Sequence, residues 1–216
     1  MDRVEALAEG AKDVEVYGGE HSVYLLPDVD PDAEDVESFS TEVFGPALAV
    51  VHLPAPDVPS YLINASRFAN ERLAGSLGIN LIVDRRVQRK LAGALDMAIA
   101  NLEYGTIAIN TWTGAAYFLS ACAWGAFPGH TPESIGSGVG VVHNTLMFGK
   151  PQKSVVWGPF ASAPRSFLKG ERHLSPKLVY FVTNRNAHQI GELLIDYSAS
   201  ESNADLAKVA LAALRG

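Results

Sequence analysis

Leu77-Gly78-Ile79-Asn80-Leu81-Ile82-Val83 and Gly105-Thr106-Ile107-Ala108-Ile109-Asn110 bracket a run from Arg86 to Leu102. The two brackets are short and apolar, the length of strands. Between them Leu91, Ala94, Leu95, Ala98 and Leu102 recur at helical spacing, and Gly105 ends the helix. Strand, helix, strand is thus the local reading. Upstream the same alternation appears once more. Leu48–Leu53, apolar but for His52, reads as a strand of the kind buried on both faces of a mainly parallel sheet. Asp57 then stands as an N-cap with Pro59 in the first turn. Leu62, Ala65, Phe68, Ala69 and Leu73 continue that helix. Repeated alternation with short connections predicts an α/β fold, a mainly parallel sheet with flanking helices.

Outside this block the signals are weaker. Val4–Glu9 reads as a short helix. Val14–Tyr17 and Ser22–Leu26 read as two short strands around Gly18-Gly19, and Pro27–Glu37 as loop. Ala121–Gly140 is rich in glycine and proline and predicts irregular chain. Lys153–Trp157 reads as one more strand. Gly158–Pro176 reads as a surface excursion, and the remainder as a strand or loop followed by helices over Asn186–Tyr197 and Asn203–Leu214.

Composition bounds the function. The 216 residues are 48% apolar and 19% charged, an ordinary globular balance with room for a substantial core. No stretch has the roughly 20 apolar residues of a membrane-spanning helix. A charged start, Met1-Asp2-Arg3-Val4-Glu5, with no apolar signal region behind it predicts a cytoplasmic protein. The net charge of −7 is concentrated before Glu42, where twelve acids face only Arg3 and Lys12. Such a lead repels nucleic acid and anionic membranes and reads as a solvated surface segment. The single Cys122 excludes an intramolecular disulfide. His21, His52, His130, His143, His173 and His188 show no paired ligand spacing, so no metal is expected.

One motif carries more chemistry than the rest. Ser40-Thr41-Glu42-Val43-Phe44-Gly45-Pro46 leads into the Ala47–Val51 run. It resembles the cofactor-contacting Glu-x-Phe-Gly-Pro segment of the aldehyde dehydrogenase family. Three further segments follow in the family's order: Phe68-Ala69-Asn70 with Leu73-Ala74-Gly75-Ser76-Leu77, then Gly105–Asn110, then Gly125-Ala126-Phe127-Pro128-Gly129 with Ser137-Gly138-Val139-Gly140. In the last, the proline has moved and Val141-Val142 replaces the usual Arg-Glu. The resemblance covers roughly residues 10–157. It implies three portions: an acidic lead with short strands (1–40), a portion resembling part of an aldehyde dehydrogenase catalytic domain (41–160), and a surface excursion with a helical C-terminal extension (161–216).

By this resemblance Glu42 would hold the nicotinamide-side ribose hydroxyls, and Phe44 would pack beside the nicotinamide ring. Asn110, Trp112, Trp124 and Phe127 would line the aldehyde pocket. Without the resemblance, Glu42 could cap a turn, Phe44 could be core, Asn110 could satisfy loop backbone, and the aromatics could form a cluster under a long loop. The family's cysteine nucleophile, general base, oxyanion asparagine and dinucleotide-binding domain all precede the Glu42 motif, and the 41 residues there contain no cysteine.

The expected function is therefore the C-terminal portion of an NAD(P)-dependent aldehyde dehydrogenase-like oxidoreductase, without catalytic residues of its own. NAD or NADP would belong to the complete enzyme and not be bound by this chain alone. Its partner would be a complementary N-terminal dehydrogenase chain or further copies of itself. Two alternatives stand beside this: a non-catalytic binding or subunit-interaction protein derived from the fold, and a stand-alone enzyme using Cys122. Cys122 lies among small apolar neighbours, which is the setting of an inert thiol. Gly136-Ser137-Gly138-Val139-Gly140 has the spacing of neither a phosphate loop nor a nucleophile elbow. Arg85-Arg86 and Arg89-Lys90 read as a solvated helix face.

Overall fold

A computed structural model describes residues 6–8, 11–19, 22–160, 168 and 184–215. The strands are β1 (Glu15–Tyr17), β2 (Val23–Val29), β3 (Ala47–Val51), β4 (Gly78–Leu81), β5 (Thr106–Ile109) and β6 (Ser154–Trp157). The helices are α1 (Glu37–Ser40), α2 (Val58–Arg72), α3 (Arg85–Lys90), α4 (Ala92–Asn101), α5 (Gly114–Phe118), α6 (Ala187–Ser200) and α7 (Asn203–Arg215). Of the helix expected at Val4–Glu9, residues 6–8 are described, the first two of them helical and Leu7 buried. Most of the Gly158–Pro176 excursion and the element expected after Leu178 lie outside the described residues.

The parallel sheet forms as the alternation predicts, in the order β4-β5-β6 with both pairings parallel. Its centre is β5, where Ile107, Ala108 and Ile109 are fully buried. Register places Ile79, Ile107 and Val155 in one row, and Leu81, Ile109 and Trp157 in the next. On that face Ile107 and Ile109 pack with Leu62 and Ala69 of α2 and with Leu95, Ala98 and Ile99 of α4. Each buried Leu and Ile here contributes about 1.5–3 kcal/mol, so this cluster anchors the fold. The helical layer covers β4 and β5 but leaves Val155 and Trp157 of β6 exposed.

The sequence reading needs four corrections. First, the sheet is not continuous. β3 joins a second, separate sheet in the order β1-β2-β3, antiparallel to parallel, and does not neighbour β4. β3 is also not buried on both faces, since Leu48 is exposed. An apolar run alone does not report which strand it pairs with. Second, β2 continues through Pro27 into the stretch read as loop. The proline removes a donor, and the register duly slips between Leu26 and Val29.

Third, the acidic lead is not merely a solvated segment. Leu26, Val29, Val36 and Phe39 form a core cluster of their own, with Phe68 of α2 edge-on to Phe39 at 5.2 Å. Its acids sit between these apolar positions and so reach solvent. Fourth, the single helix expected over Arg86–Leu102 breaks at Leu91, whose φ of −125° and ψ of 29° separate α3 from α4.

Helix ends follow the expected capping. Asp57 accepts a hydrogen bond from the Ser60 backbone N–H at 2.8 Å, and Asp84 one from Arg86 N–H at 2.7 Å. α4 ends at the C-cap Leu102, ahead of Gly105, so the glycine expected to end the helix has another task. A Cβ there would stand 1.8 Å from the Gly125 carbonyl oxygen, so the irregular 121–140 segment packs directly on bare backbone at the start of β5. At the C-terminus α6 and α7 pack on each other around Ile190, Ala212 and Ala213.

Candidate functional site

The 121–140 segment returns over the lower end of the parallel sheet and meets the turn between α2 and β4. Ser76, in that turn, is fixed by three hydrogen bonds. Its N–H donates to Ser137 Oγ at 2.8 Å, and its carbonyl accepts from Gly105 N–H at 2.9 Å and Phe127 N–H at 3.0 Å. Its hydroxyl lies 2.8 Å from His130 Nε2. The His130 ring in turn lies against Gly136, where a Cβ would come within 2.3 Å of Nδ1 and Cε1 and where φ is +47°. Only glycine meets both conditions.

Of the clefts that border this arrangement, two bear on it. One, of about 410 Å³, is lined by Glu42, Gly75, Gly78, Tyr104, His130 and Ser137 among others. The other, of about 270 Å³, is lined by Asn70, Ser76, Glu103, Tyr104, Phe127 and His130 among others. Tyr104 donates its hydroxyl to the Ala69 carbonyl at 2.9 Å, and burial raises its pKa above the ordinary phenol value. It therefore serves as a neutral wall.

The residues singled out from sequence are dispersed. Glu42 reaches the larger cleft. Phe44 does not pack beside it but stands 76% exposed. Asn110, in the left-handed region at φ +56°, uses its whole side chain on one residue: Oδ1 accepts from Val83 N–H at 2.8 Å and Nδ2 donates to Val83 O at 3.0 Å. It thereby ties β4 to β5 at their carboxyl ends. The Trp112 indole covers Gly114 and is half exposed. Trp124 meets Tyr117 edge-on at 5.6 Å, and Tyr117 also stacks on His143 at 5.0 Å. Phe127 lines the smaller cleft, with the Lys153 ammonium 5.4 Å from its ring centroid.

Cys122 is half-buried and free, and its N–H donates to Leu119 O at 2.7 Å. The histidines nearest it in sequence are engaged elsewhere, His130 with Ser76 and His143 with Tyr117. Among the described residues no group of three or more His, Cys, Asp and Glu side chains lies together, and no helix is long and apolar enough to cross a membrane.

The sequence reading missed Ser76, His130 and Ser137 as a set. Ser76 and Ser137 are 61 positions apart, and Ser76 and His130 are 54 apart. Such a meeting depends on how an irregular segment folds back, which no local pattern reports. The one signal present was glycine density around Gly125–Gly140, which marks close backbone approach.

From Ser134 to Gly149 the chain carries no Asp, Glu, Lys or Arg. Ile135, Val142, Leu146, Met147 and Phe148 there are more than half exposed, Met147 the most at 86%. The tip is not loose. Asn144 clamps it, donating from Nδ2 to Phe148 O at 2.7 Å and accepting from Phe148 N–H at 2.9 Å. Thr145 Oγ1 donates to Ser120 O at 2.5 Å, which brings the exposed Leu119 beside it. No protein-family model matches this chain, nor does any curated protein or solved structure.

Proposed function

We propose that the chain is the C-terminal portion of an NAD(P)-dependent aldehyde dehydrogenase-like oxidoreductase, acting with a chain that supplies the nucleophile and the dinucleotide-binding domain. What supports this reading is Glu42 of the Glu-x-Phe-Gly-Pro segment on the wall of the larger cleft, together with exposed apolar side chains that a second chain would cover. Val155 and Trp157 of β6 are exposed, Ile82 just beyond β4 is 82% exposed, and the uncharged 134–149 rim adds Leu146, Met147 and Phe148. Patches of this kind mark interaction surfaces.

In the assembled enzyme Glu42 would present two acceptor oxygens to the ribose hydroxyls, and exposed Phe44 would meet the nicotinamide side. Glu42 lines the larger cleft while Phe44 stands exposed outside its lining, so a partner surface would have to complete the nicotinamide end and hold the rest of NAD(P). Of the residues expected at the aldehyde, Phe127 lines the smaller cleft and would shield that side of the site, whereas Asn110 is committed to Val83 and Trp112 and Trp124 line neither cleft. The cofactor, when bound, would accept the hydride, and this chain's residues would position and shield.

A second reading, a non-catalytic subunit-interaction protein or self-associating oligomer, draws on the same surface. It also draws on Asn110, whose side chain is committed to Val83. One experiment separates them. A dehydrogenase truncated before its own Glu-x-Phe-Gly-Pro segment is mixed with this chain, and aldehyde-dependent NAD(P)H formation is followed. Activity gained with the wild-type chain and reduced by Glu42→Ala supports the first reading. Binding without activity supports the second.

A further inference from the structure

We propose that Ser76 is a nucleophile activated by His130, able to transfer the acyl group of small neutral carboxylic esters to water. This needs neither NAD(P) nor a partner chain, and so stands apart from the dehydrogenase reading although the clefts are shared. The pair has the reach of a nucleophile and its base, 2.8 Å from Ser76 Oγ to His130 Nε2. In the tautomer protonated on Nδ1, Nε2 accepts the hydroxyl proton.

What separates the pair from an incidental hydrogen bond is the support on both sides. The Ser76 backbone is pinned through N–H and carbonyl by Ser137, Gly105 and Phe127. The His130 ring occupies space that Gly136 alone leaves open. Such preorganisation is what a reacting constellation requires. Ser137 Oγ accepts from Ser76 N–H and still has a proton to donate, beside Ser76, to an oxygen that gains charge. Both Ser76 and His130 line the smaller cleft, where Tyr104 and Phe127 provide an aromatic wall and about 270 Å³ admits a short acyl chain. The Glu42 and Glu103 carboxylates on the cleft walls disfavour anionic substrates.

The step balances without an oxidant or reductant. Ser76 Oγ bonds to the ester carbonyl carbon while its proton passes to His130 Nε2. The carbon–oxygen bond to the alcohol then breaks, and His130 returns the proton to the leaving oxygen. Water, deprotonated by His130, attacks the acyl-serine, releases the acid and restores Ser76.

The test uses the full chain with a fluorophosphonate probe and with p-nitrophenyl acetate, locating the label by mass spectrometry. The expected result is label on Ser76, none in Ser76→Ala, and a rate lowered roughly 100-fold or more in His130→Gln. Ser137→Ala is expected to slow turnover by roughly 100-fold, and Cys122→Ala to leave it unchanged. Should Ser76→Ala fail to fold, Ser76→Cys in a Cys122→Ala background replaces it. Its alkylation by iodoacetamide is then expected to slow when His130 is also replaced by Gln. No label, label at another residue, or an alkylation rate indifferent to His130 overturns the proposal.

Discussion

Lys153 Nζ lies 2.6 Å from the carbonyl oxygen of Leu102, and the same ammonium also donates to Ala100 O at 2.8 Å and Ile99 O at 3.1 Å. These are the last carbonyls of α4, which have no partner within the helix. A cation there also meets the negative end of the helix dipole. One side chain just before β6 thus caps the helix that crosses from β4 to β5. It ties a residue far along the chain to the central layer. Lys153→Met keeps the stem and removes the donors, and is expected to lower stability by about 1–3 kcal/mol. Urea unfolding with an unchanged m-value measures it.

Gly105→Ala tests the packing of the irregular segment. With a Cβ 1.8 Å from Gly125 O, the segment has to move away from β5. The Phe127 N–H bond to Ser76 O goes with it. The expected cost is about 1–3 kcal/mol, together with loss of the Ser76–His130 contact. A parallel change at Gly93, where a Cβ meets nothing within 4 Å, is expected to cost nothing or to stabilise α4 slightly. Thermal unfolding of the two variants side by side decides it.

Asn110 was expected from resemblance beside the aldehyde, yet its amide holds Val83 through both arms. Asn110→Ala removes both hydrogen bonds and leaves a non-glycine residue at φ +56°. A loss of about 2–3 kcal/mol is expected in the chain alone. A stable Asn110→Ala variant would assign the residue a role outside this fold.

Asp57 gives the acid limb of stability a specific source. Its carboxyl, on an exposed side chain, is held below the ordinary 3.8, first by the Ser60 backbone N–H and then by the Ser60 hydroxyl, with slight desolvation opposing. A lowered acid favours the folded state above the unfolded value of 3.8, and that contribution disappears as pH falls through the lower folded value. Asp57→Asn keeps a capping oxygen but no titrating group, so its stability is expected to fall less steeply below pH 3.8 than the wild type's. Equilibrium unfolding at a series of acid pH values reads the difference.

What the sequence revealed about the fold was local. Period and capping placed α2, β4, α4, β5, β6, α6 and α7, because each buries one face close to its own residues. Asp57 marked a boundary for a reason its neighbours supply, whereas Gly105 answers to the distant Gly125. Pairing was less legible: the Leu48 run looked like a strand of the same sheet, but it found β2, and the acidic lead hid Leu26, Val29 and Phe39 behind its charge. The site was least legible. Glu42 was visible through a motif, whereas Ser76, His130 and Ser137 meet only because residues 121–140 fold onto Gly105.

The central claim, a dehydrogenase portion whose exposed rim is covered by a complementary chain, is tested most directly by sedimentation velocity. The chain is mixed with a dehydrogenase truncated before its Glu-x-Phe-Gly-Pro segment, with Met147→Asp as control. Met147, at 86% exposure, is the most exposed side chain of that uncharged rim. The account predicts one faster boundary for the wild-type mixture and two separate ones for the variant. Two unshifted boundaries with the wild-type chain would contradict it.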